Sequence, residues 1–171
     1  MKAILYMAPT LNGFIAKLGD DTGFVSKNSW KSYRQMIKKA KCMIVGSRTY
    51  KIMIEAEDLK GLEKTVVVAV SKKPFKALPK NHFVAKSPKQ ALQILKRQGF
   101  KSALVAGGGA LNASFLKEGL IDEIFLDVEP LVLGNGIRLF AEGNFEAKLK
   151  LAGVKKLSRN EVQLHYKVLK K

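Results

Sequence analysis

Two glycine-containing segments stand where a predicted strand passes directly into a predicted helix. The first is Gly107–Gly109, which follows the apolar run 102–106, and the second is 46–49, which follows the run 42–45. Glycine admits positive φ angles and lets another molecule approach the backbone closely. The helix N-termini behind these segments offer unpaired N–H groups and a partial positive charge, which favours a phosphate. The two segments therefore predict the two ends of a pyrophosphate site, although each by itself is equally typical of a tight turn without a ligand.

Ser71, Lys72 and Lys73 follow a third predicted strand, the apolar and mostly β-branched run 66–70. A hydroxyl and ammonium groups at this position favour an adenosine 2′-phosphate, where an NAD-specific site presents an acid to the ribose. Ligands of open α/β sheets bind at the carboxyl ends of the strands, which is where all three segments lie. The three signals together predict a dinucleotide site that takes NADPH rather than NADH.

The candidate substrate residues are aromatic and polar side chains near these segments. Trp30 and Tyr33 lie at helical spacing, and Tyr50 begins the next predicted helix. These rings are candidates to stack on a substrate or to hydrogen-bond it, and burial on the inward helix face is the alternative for Trp30 and Tyr33. Asn12 can hydrogen-bond a substrate but cannot serve as an acid at neutral pH. Arg34 is a candidate for a substrate phosphate, with a solvated surface position as the alternative.

These residues require a framework in which strands and helices alternate. Predicted strands cover 3–8, 42–45, 66–70, 83–85, 102–106 and 122–129, predicted helices cover 29–40, 50–57, 88–98 and 110–116, and a predicted hairpin covers 149–154 and 161–169. This order predicts an α/β fold with a mostly parallel sheet and antiparallel strands at one edge. The length of 171 residues predicts one domain with a substantial core.

The formal net charge of +17 makes nucleic acid a candidate partner. However, the basic residues are mainly lysine, are spread along the chain and do not alternate with aromatic residues, whereas stacked and bidentate nucleic-acid contacts favour arginine and aromatic platforms. A solvated lysine-rich surface is therefore the favoured interpretation, and nucleic-acid binding is a secondary one.

The remaining composition indicates a cytoplasmic protein without a metal site. Cys42 is the single cysteine, which excludes an intrachain disulfide and favours a reducing compartment. His82 and His165 have no acidic or serine partner nearby in sequence, and no metal-ligand pattern is present. No uninterrupted apolar stretch reaches the length of a membrane span.

Three motifs resemble those of a known family. The stretch LVAGGGALNASFLKEGLIDEIFLDVEPLVLGNGIRLF resembles the signature of the riboflavin-biosynthesis reductase domain, within the dihydrofolate-reductase-like superfamily. The segment TLNGFIA is similar to that family's S-x-D-G-x-I-A, and MIVGSRTYKIM resembles the G-R-x-T-[YW] turn of dihydrofolate reductases. The matches occur in the expected order and span nearly the whole chain.

The resemblance implies an NADPH-dependent reductase, often a homodimer, with a three-layer dihydrofolate-reductase-like fold over residues 1–171. Ala8 and Ile15 would flank the nicotinamide, and Ser71 and Lys72 would meet the 2′-phosphate. The residues implied at the pyrophosphate are Gly107, Gly108, Gly109 and Ala110 on one side and Gly46, Ser47, Arg48 and Thr49 on the other.

The substrate half departs from the family pattern. Trp30 falls where dihydrofolate reductases place the carboxylate that holds the pterin, Ala106 replaces a glutamate that commonly precedes the glycines, and Asn12 replaces the expected aspartate. The resemblance makes a ribosylaminopyrimidinone phosphate of the riboflavin pathway the expected substrate, reduced by hydride transfer. The alternatives are a pterin or folate reductase without the usual carboxylate, and a non-catalytic nucleotide- or nucleic-acid-binding module.

Overall fold

A computed structural model describes residues 1–77 and 79–170. Its main feature is a sheet of eight strands, which are β1 (Lys2–Met7), β3 (Cys42–Gly46), β4 (Val66–Val70), β5 (His82–Ala85), β6 (Ser102–Val105), β7 (Glu123–Val128), β9 (Lys148–Lys156) and β10 (Val162–Leu169). Their order across the sheet is β5-β4-β3-β6-β1-β7-β10-β9. The first six strands in this order are parallel, β10 pairs antiparallel with β7, and β9 pairs antiparallel with β10 as the outer strand of the hairpin.

In the described part of the chain, four α-helices cover the two faces of the sheet. They are α1 (Lys27–Ala40), α2 (Ser47–Glu55), α3 (Pro88–Arg97) and α4 (Gly109–Lys117). Because side chains alternate along a strand, Leu5 of β1 faces the core under α3 and α4, whereas its neighbour Tyr6 faces the core under α1 and α2. The sheet therefore has a core on each face, which gives a three-layer α/β architecture. This architecture was predicted from the sequence, and the prediction is confirmed.

The helix starts follow local capping chemistry. The Ser26 hydroxyl accepts a hydrogen bond from the Ser29 amide (3.1 Å), and α1 begins between them. The Ser87 hydroxyl accepts one from the Gln90 amide (3.2 Å), with Pro88 at the first helical position of α3. The starts of α2 and α4 differ, since glycines precede them and no side chain caps either one.

Two short strands are not predicted from the sequence. Strands β2 (Phe14–Ala16) and β8 (Ile137–Arg138) pair antiparallel as a separate ribbon. They are three and two residues long, too short for a period of two to be recognised. Helix α2 also begins at Ser47 rather than at the predicted Tyr50, so the residues 47–49 form its first turn.

Candidate functional site

A cleft opens at the carboxyl ends of three neighbouring strands, β3, β6 and β1, where the chain turns toward α2 and α4. It contains about 910 Å³ of empty space, including its open mouth. Most of its wall is apolar. The lining residues are Tyr6, Met7, Ala8, Ile15, Ala16, Asp20, Thr22, Val25, Ser29, Trp30, Tyr33, Thr49, Ile52, Met53, Asp58, Ala106, Gly108 and Ile137.

Two helix N-termini meet at one side of this cleft. The Gly46 amide donates a hydrogen bond of 2.7 Å to the Gly107 carbonyl, which joins the turn before α2 to the turn before α4. Each first turn has backbone N–H groups that no side chain caps in the described part of the chain. The arrangement offers main-chain donors and the positive ends of two helix dipoles to an anion placed between the helix starts.

The three consecutive glycines have different structural roles. Gly107 has a φ of 86°, a conformation that favours glycine. A Cβ atom on Gly109 would collide with the carbonyl oxygen of Arg138, so this glycine allows β8 to pack against α4. A Cβ atom on Gly108 would lie 3.5 Å from Thr49 Oγ1, an ordinary contact across the cleft. The missing side chain of Gly108 therefore leaves open space in the cleft, whereas that of Gly109 is required by the packing of the fold.

The residues expected at the nicotinamide and pyrophosphate lie close to one another. Ala8, Ile15, Thr49 and Gly108 line the cleft, and Ala110 is exposed in the first turn of α4. Ser47 occupies the first position of α2.

Arg48 is engaged within the protein. Its guanidinium forms an ion pair with Asp20, with contacts of 2.6 and 2.7 Å, and this pair holds the turn 18–20 at the edge of the cleft. The Asp20 carboxylate is therefore the counter-charge of Arg48 in this structure, and the Arg48 side chain is 73% exposed.

Ser71 and Lys72 lie at the same edge of the sheet, after β4, which neighbours β3. The Ser71 hydroxyl donates to the Lys73 carbonyl (2.7 Å) and accepts from the Lys73 amide (3.2 Å), which forms a tight turn. Lys72 is exposed at this turn. Its ammonium group is free to reach an anion outside the cleft.

Two of the four candidate substrate residues line the cleft. Trp30 and Tyr33 contact each other edge to face, with ring centroids 5.8 Å apart, and Tyr33 stacks on Tyr6 at 5.5 Å. Burial raises the pKa of the Tyr33 hydroxyl above its ordinary value, with a smaller contribution from the charge of Asp58. The helix α1 therefore presents an aromatic wall to the cleft.

Tyr50 and Asn12 lie elsewhere. Tyr50 is buried under α2, where its hydroxyl is 2.9 Å from His82 Nδ1, because its position in α2 points the ring toward Phe75 rather than into the cleft. Asn12 is exposed and donates from Nδ2 to the Leu133 carbonyl (2.7 Å). Its Oδ1 accepts from the Leu133 amide (3.2 Å), so Asn12 fastens one loop to another.

Asp58 is a cleft residue that the sequence did not reveal. It follows the end of α2, and its carboxylate lines the cleft near Tyr33. Burial raises the pKa of Asp58, and the charge of Arg34 partly opposes that rise. Arg34 itself donates to the carbonyls of Asp58 (3.0 Å) and Lys60 (2.6 Å), which holds this turn against α1.

A buried polar network lies behind the aromatic wall. The Tyr6 hydroxyl donates to Asp127 Oδ2, and Gln163 Nε2 donates to Asp127 Oδ1 (2.7 Å). Burial raises the pKa of Asp127, with a contribution from Glu129, although its hydrogen bonds act in the opposite direction. An acidic residue inside the apolar run 123–128 was the signal in the sequence for such a network.

Within residues 1–77 and 79–170, no group of three or more His, Cys, Asp or Glu side chains is arranged to hold a metal ion. In the same part of the chain, none of the helices has the length and apolar character needed to cross a membrane.

Comparisons with known proteins agree with this architecture. The family model for the RibD C-terminal domain matches residues 1–163. The chain is 30% identical to the uncharacterized protein YwjB of Bacillus subtilis (strain 168) over 175 residues, which cover 96% of this chain and 97% of that protein.

Two solved structures extend the comparison to the fold. RibD of Acinetobacter baumannii is similar with a TM-score of 0.78 at 19% identity, over 98% of this chain and 58% of that one. A diaminohydroxyphosphoribosylaminopyrimidine deaminase/5-amino-6-(5-phosphoribosylamino)uracil reductase of Thermotoga maritima is similar with a TM-score of 0.75 at 19% identity, over 98% of this chain and 56% of that one. At these identities the likeness establishes a shared fold.

Proposed function

The chain belongs to the RibD C-terminal domain family, and from this membership and the geometry of the cleft we propose that it is an NADPH-dependent reductase of a nitrogen heterocycle. One observation carries the proposal. Two uncapped helix N-termini, joined by the hydrogen bond between Gly46 and Gly107, face one side of an apolar cleft that has an aromatic wall on the other side. The helix N-termini suit the diphosphate of a dinucleotide. The apolar space in front of the aromatic wall suits the flat ring of that dinucleotide and a flat acceptor ring stacked on it.

The residues present fit NADPH. The amides in the first turns of α2 and α4 would hold the pyrophosphate, and Gly108 leaves the space that a side chain at this position would fill. Ser71 and Lys72 would hold the 2′-phosphate, since a hydroxyl and an exposed ammonium stand after β4. When bound, NADPH supplies a hydride from its nicotinamide ring.

The chain's own residues orient the two rings and exclude water. Ala8 and Ile15 would flank the nicotinamide with small and branched apolar surfaces. Trp30 and Tyr33 would hold the acceptor ring from the opposite side, because both present aromatic surface to the same cleft. Holding two reacting rings face to face in an apolar space supplies proximity and orientation, and this is the contribution expected of the protein.

The acceptor in this proposal is a pyrimidine or pteridine ring. The Thermotoga maritima relative is a 5-amino-6-(5-phosphoribosylamino)uracil reductase, which supports a pyrimidine. Asp58 supports a pteridine or an aminopyrimidine, because it gives the cleft a carboxylate, although Trp30 stands where dihydrofolate reductases carry theirs.

Thermal unfolding with and without nucleotides tests the cofactor. NADPH at about 100 times its dissociation constant adds roughly 2.7 kcal/mol to the free energy of unfolding. We expect a clear rise in Tm with NADPH and a smaller one with NADH at the same concentration. An unchanged Tm with NADPH at millimolar concentration would refute the proposal.

A cytoplasmic location, which the single cysteine favours, and a homodimeric state, which the family resemblance favours, are further parts of the proposal. Light scattering during size-exclusion chromatography measures the oligomeric state. Nucleic acid stays the alternative partner because of the net charge of +17. A gel shift with random DNA that persists at physiological salt would favour it.

A further inference from the structure

One formal charge stands at the two helix starts that border the cleft. The segments 46–49 and 107–110 contain a single charged residue, Arg48 in the first turn of α2. Neither first turn contains an acidic residue, and within residues 1–77 and 79–170 no side chain caps either helix. Arg48 therefore adds a full positive charge to main-chain donors that already attract an anion.

A carboxylate from a distant segment holds this cation. Asp20 Oδ2 accepts a hydrogen bond from Arg48 Nε (2.7 Å) and lies 2.6 Å from Arg48 Nη2. These two nitrogens form one edge of the guanidinium, and arginine uses such an edge to hold a carboxylate or a phosphate. The Asp20 side chain is 20% exposed and lines the cleft. One edge of the Arg48 guanidinium is therefore filled by an anion of the protein itself.

The turn that carries Asp20 closes on itself beside α2. Gly19 and Asp20 have φ angles of 78° and 66°, so two consecutive residues are left-handed, which is unfavourable at the aspartate. The Lys17 amide donates to the Asp21 carbonyl (2.8 Å), and the Lys17 ammonium lies 3.3 Å from Asp21 Oδ2. The contacts that close the turn thus involve Asp21, and they do not depend on the pair between Asp20 and Arg48.

The Asp20 carboxylate borders the space in which a diphosphate would lie. Thr49, which follows Arg48 in α2, lines the cleft together with Asp20 and Gly108. A diphosphate held at these helix starts would bring negative charges next to Asp20, and like charges at short range repel each other. Release of Asp20 from Arg48 would relieve this repulsion, and it would also leave the guanidinium edge to a phosphate oxygen.

We propose that Asp20 is an internal competitor for the diphosphate of the dinucleotide. Its carboxylate holds Arg48 in the free protein and gives way to a phosphate oxygen when the nucleotide binds. This inference rests on the proposed function, which assigns the two helix starts to NADPH. It makes Asp20 a residue that lowers the affinity for the nucleotide, and it makes Arg48 the residue that changes partner.

Calorimetric titration with NADPH at physiological salt tests the exchange. Asp20→Asn removes the charge and keeps both the size of the side chain and a residue type that tolerates this positive φ. We expect the dissociation constant of NADPH to fall about three- to tenfold, because an exposed ion pair contributes up to roughly fivefold and the loss of repulsion adds to it. Asp20→Gly, which also adopts this φ, carries the same expectation.

The matched control is Asp21→Asn. It removes the same charge one residue away and keeps an oxygen for the Gly23 amide, which Asp21 Oδ1 accepts at 2.7 Å. Asp21 is paired with Lys17 rather than with Arg48, so we expect the dissociation constant of NADPH to change by less than about twofold. An equal gain in Asp21→Asn and Asp20→Asn would overturn the inference.

Arg48→Gln and the double variant separate an exchange of partners from a general effect of charge. We expect Arg48→Gln to weaken NADPH binding, and we expect the gain from Asp20→Asn to be lost in the Arg48→Gln background. A gain that persists undiminished there would contradict the exchange, because Asp20 would then act without Arg48. Weaker NADPH binding by Asp20→Asn would also contradict it, since the carboxylate would then orient Arg48 for the phosphate.

Inorganic pyrophosphate, used as a second probe, separates this inference from the proposed function. We expect it to bind Asp20→Asn more tightly than the wild type, because the exchange involves only the diphosphate. NADPH binding that Asp20→Asn leaves unchanged would refute the inference and leave the reductase proposal standing. Failure of NADPH to bind, with a gain for pyrophosphate in Asp20→Asn that depends on Arg48, would refute the reductase proposal and support the exchange.

Discussion

Substitution of Gly108 by alanine separates cofactor binding from folding. The backbone of Gly108 has φ −72° and ψ −167°, which alanine adopts without strain. The added Cβ would lie 3.5 Å from Thr49 Oγ1, which is an ordinary contact. We therefore expect the free energy of unfolding of the nucleotide-free protein to stay the same or to rise by about 0.4–1 kcal/mol, as for other compatible Gly→Ala changes.

The same methyl group lies between the two helix starts, where the pyrophosphate would contact the amides. Displacing a phosphate oxygen from one amide removes a hydrogen bond to a charged group, which contributes about 1.5–3 kcal/mol. We therefore expect the dissociation constant of NADPH, measured by calorimetry, to rise about 10- to 100-fold. The control is Gly153→Ala on β9, where a Cβ meets no atom within 4 Å and affinity should not change. Unchanged NADPH affinity in a folded Gly108→Ala protein would refute the placement of the pyrophosphate.

Three other predictions test neighbouring parts of the account. Lys72→Glu should weaken NADPH binding about tenfold and leave NADH binding unchanged, because it removes a cation from the 2′-phosphate; equal losses for both nucleotides would contradict this. Tyr50→Phe should lower the free energy of unfolding by about 1 kcal/mol, since it removes a buried hydrogen bond to His82, with no change in NADPH affinity. Burial holds the pKa of Asp127 above the value near 3.9 of an unfolded aspartate. Between the unfolded and the folded pKa, Asp127 is protonated in the folded protein and ionised in the unfolded chain. The free energy of unfolding therefore falls as pH rises through this window. Asp127→Asn removes that dependence, and urea unfolding from pH 4 to pH 8 should show the variant gaining stability relative to the wild type as pH rises; a constant difference would contradict it.

The fold and the meeting of the two glycine-containing turns were predictable because their signals are local. The apolar run 66–70 and the periodicity of α1 specify elements from a few consecutive residues. The glycines 107–109 mark a turn between strand and helix by their composition alone. The order of these elements then specifies an α/β sheet, and its strand ends bring the glycine segments together.

The side of the cleft formed by α1 and the turn after α2 was less predictable because it depends on contacts between distant residues. Tyr6 and Asp127 are 121 positions apart and meet only because β1 lies beside β7. Asp58 carries no local signal, since it is one of several acidic residues after α2, and only the turn that Arg34 holds brings it to the cleft. The direction of a side chain in the first turns of a helix is also not readable from the sequence. Tyr50 was predicted to face the substrate, but its ring points into the core toward Phe75.

The central claim is that NADPH lies in this cleft with its nicotinamide opposite the aromatic wall, and one fluorescence titration tests it most directly. Trp30 is the single tryptophan of the chain and lines the cleft, so its emission reports on this site alone. Titration with NADPH should give saturable quenching of Trp30 emission together with sensitised emission from the reduced nicotinamide. NADPH binding detected by calorimetry without any change in Trp30 emission would contradict the claim.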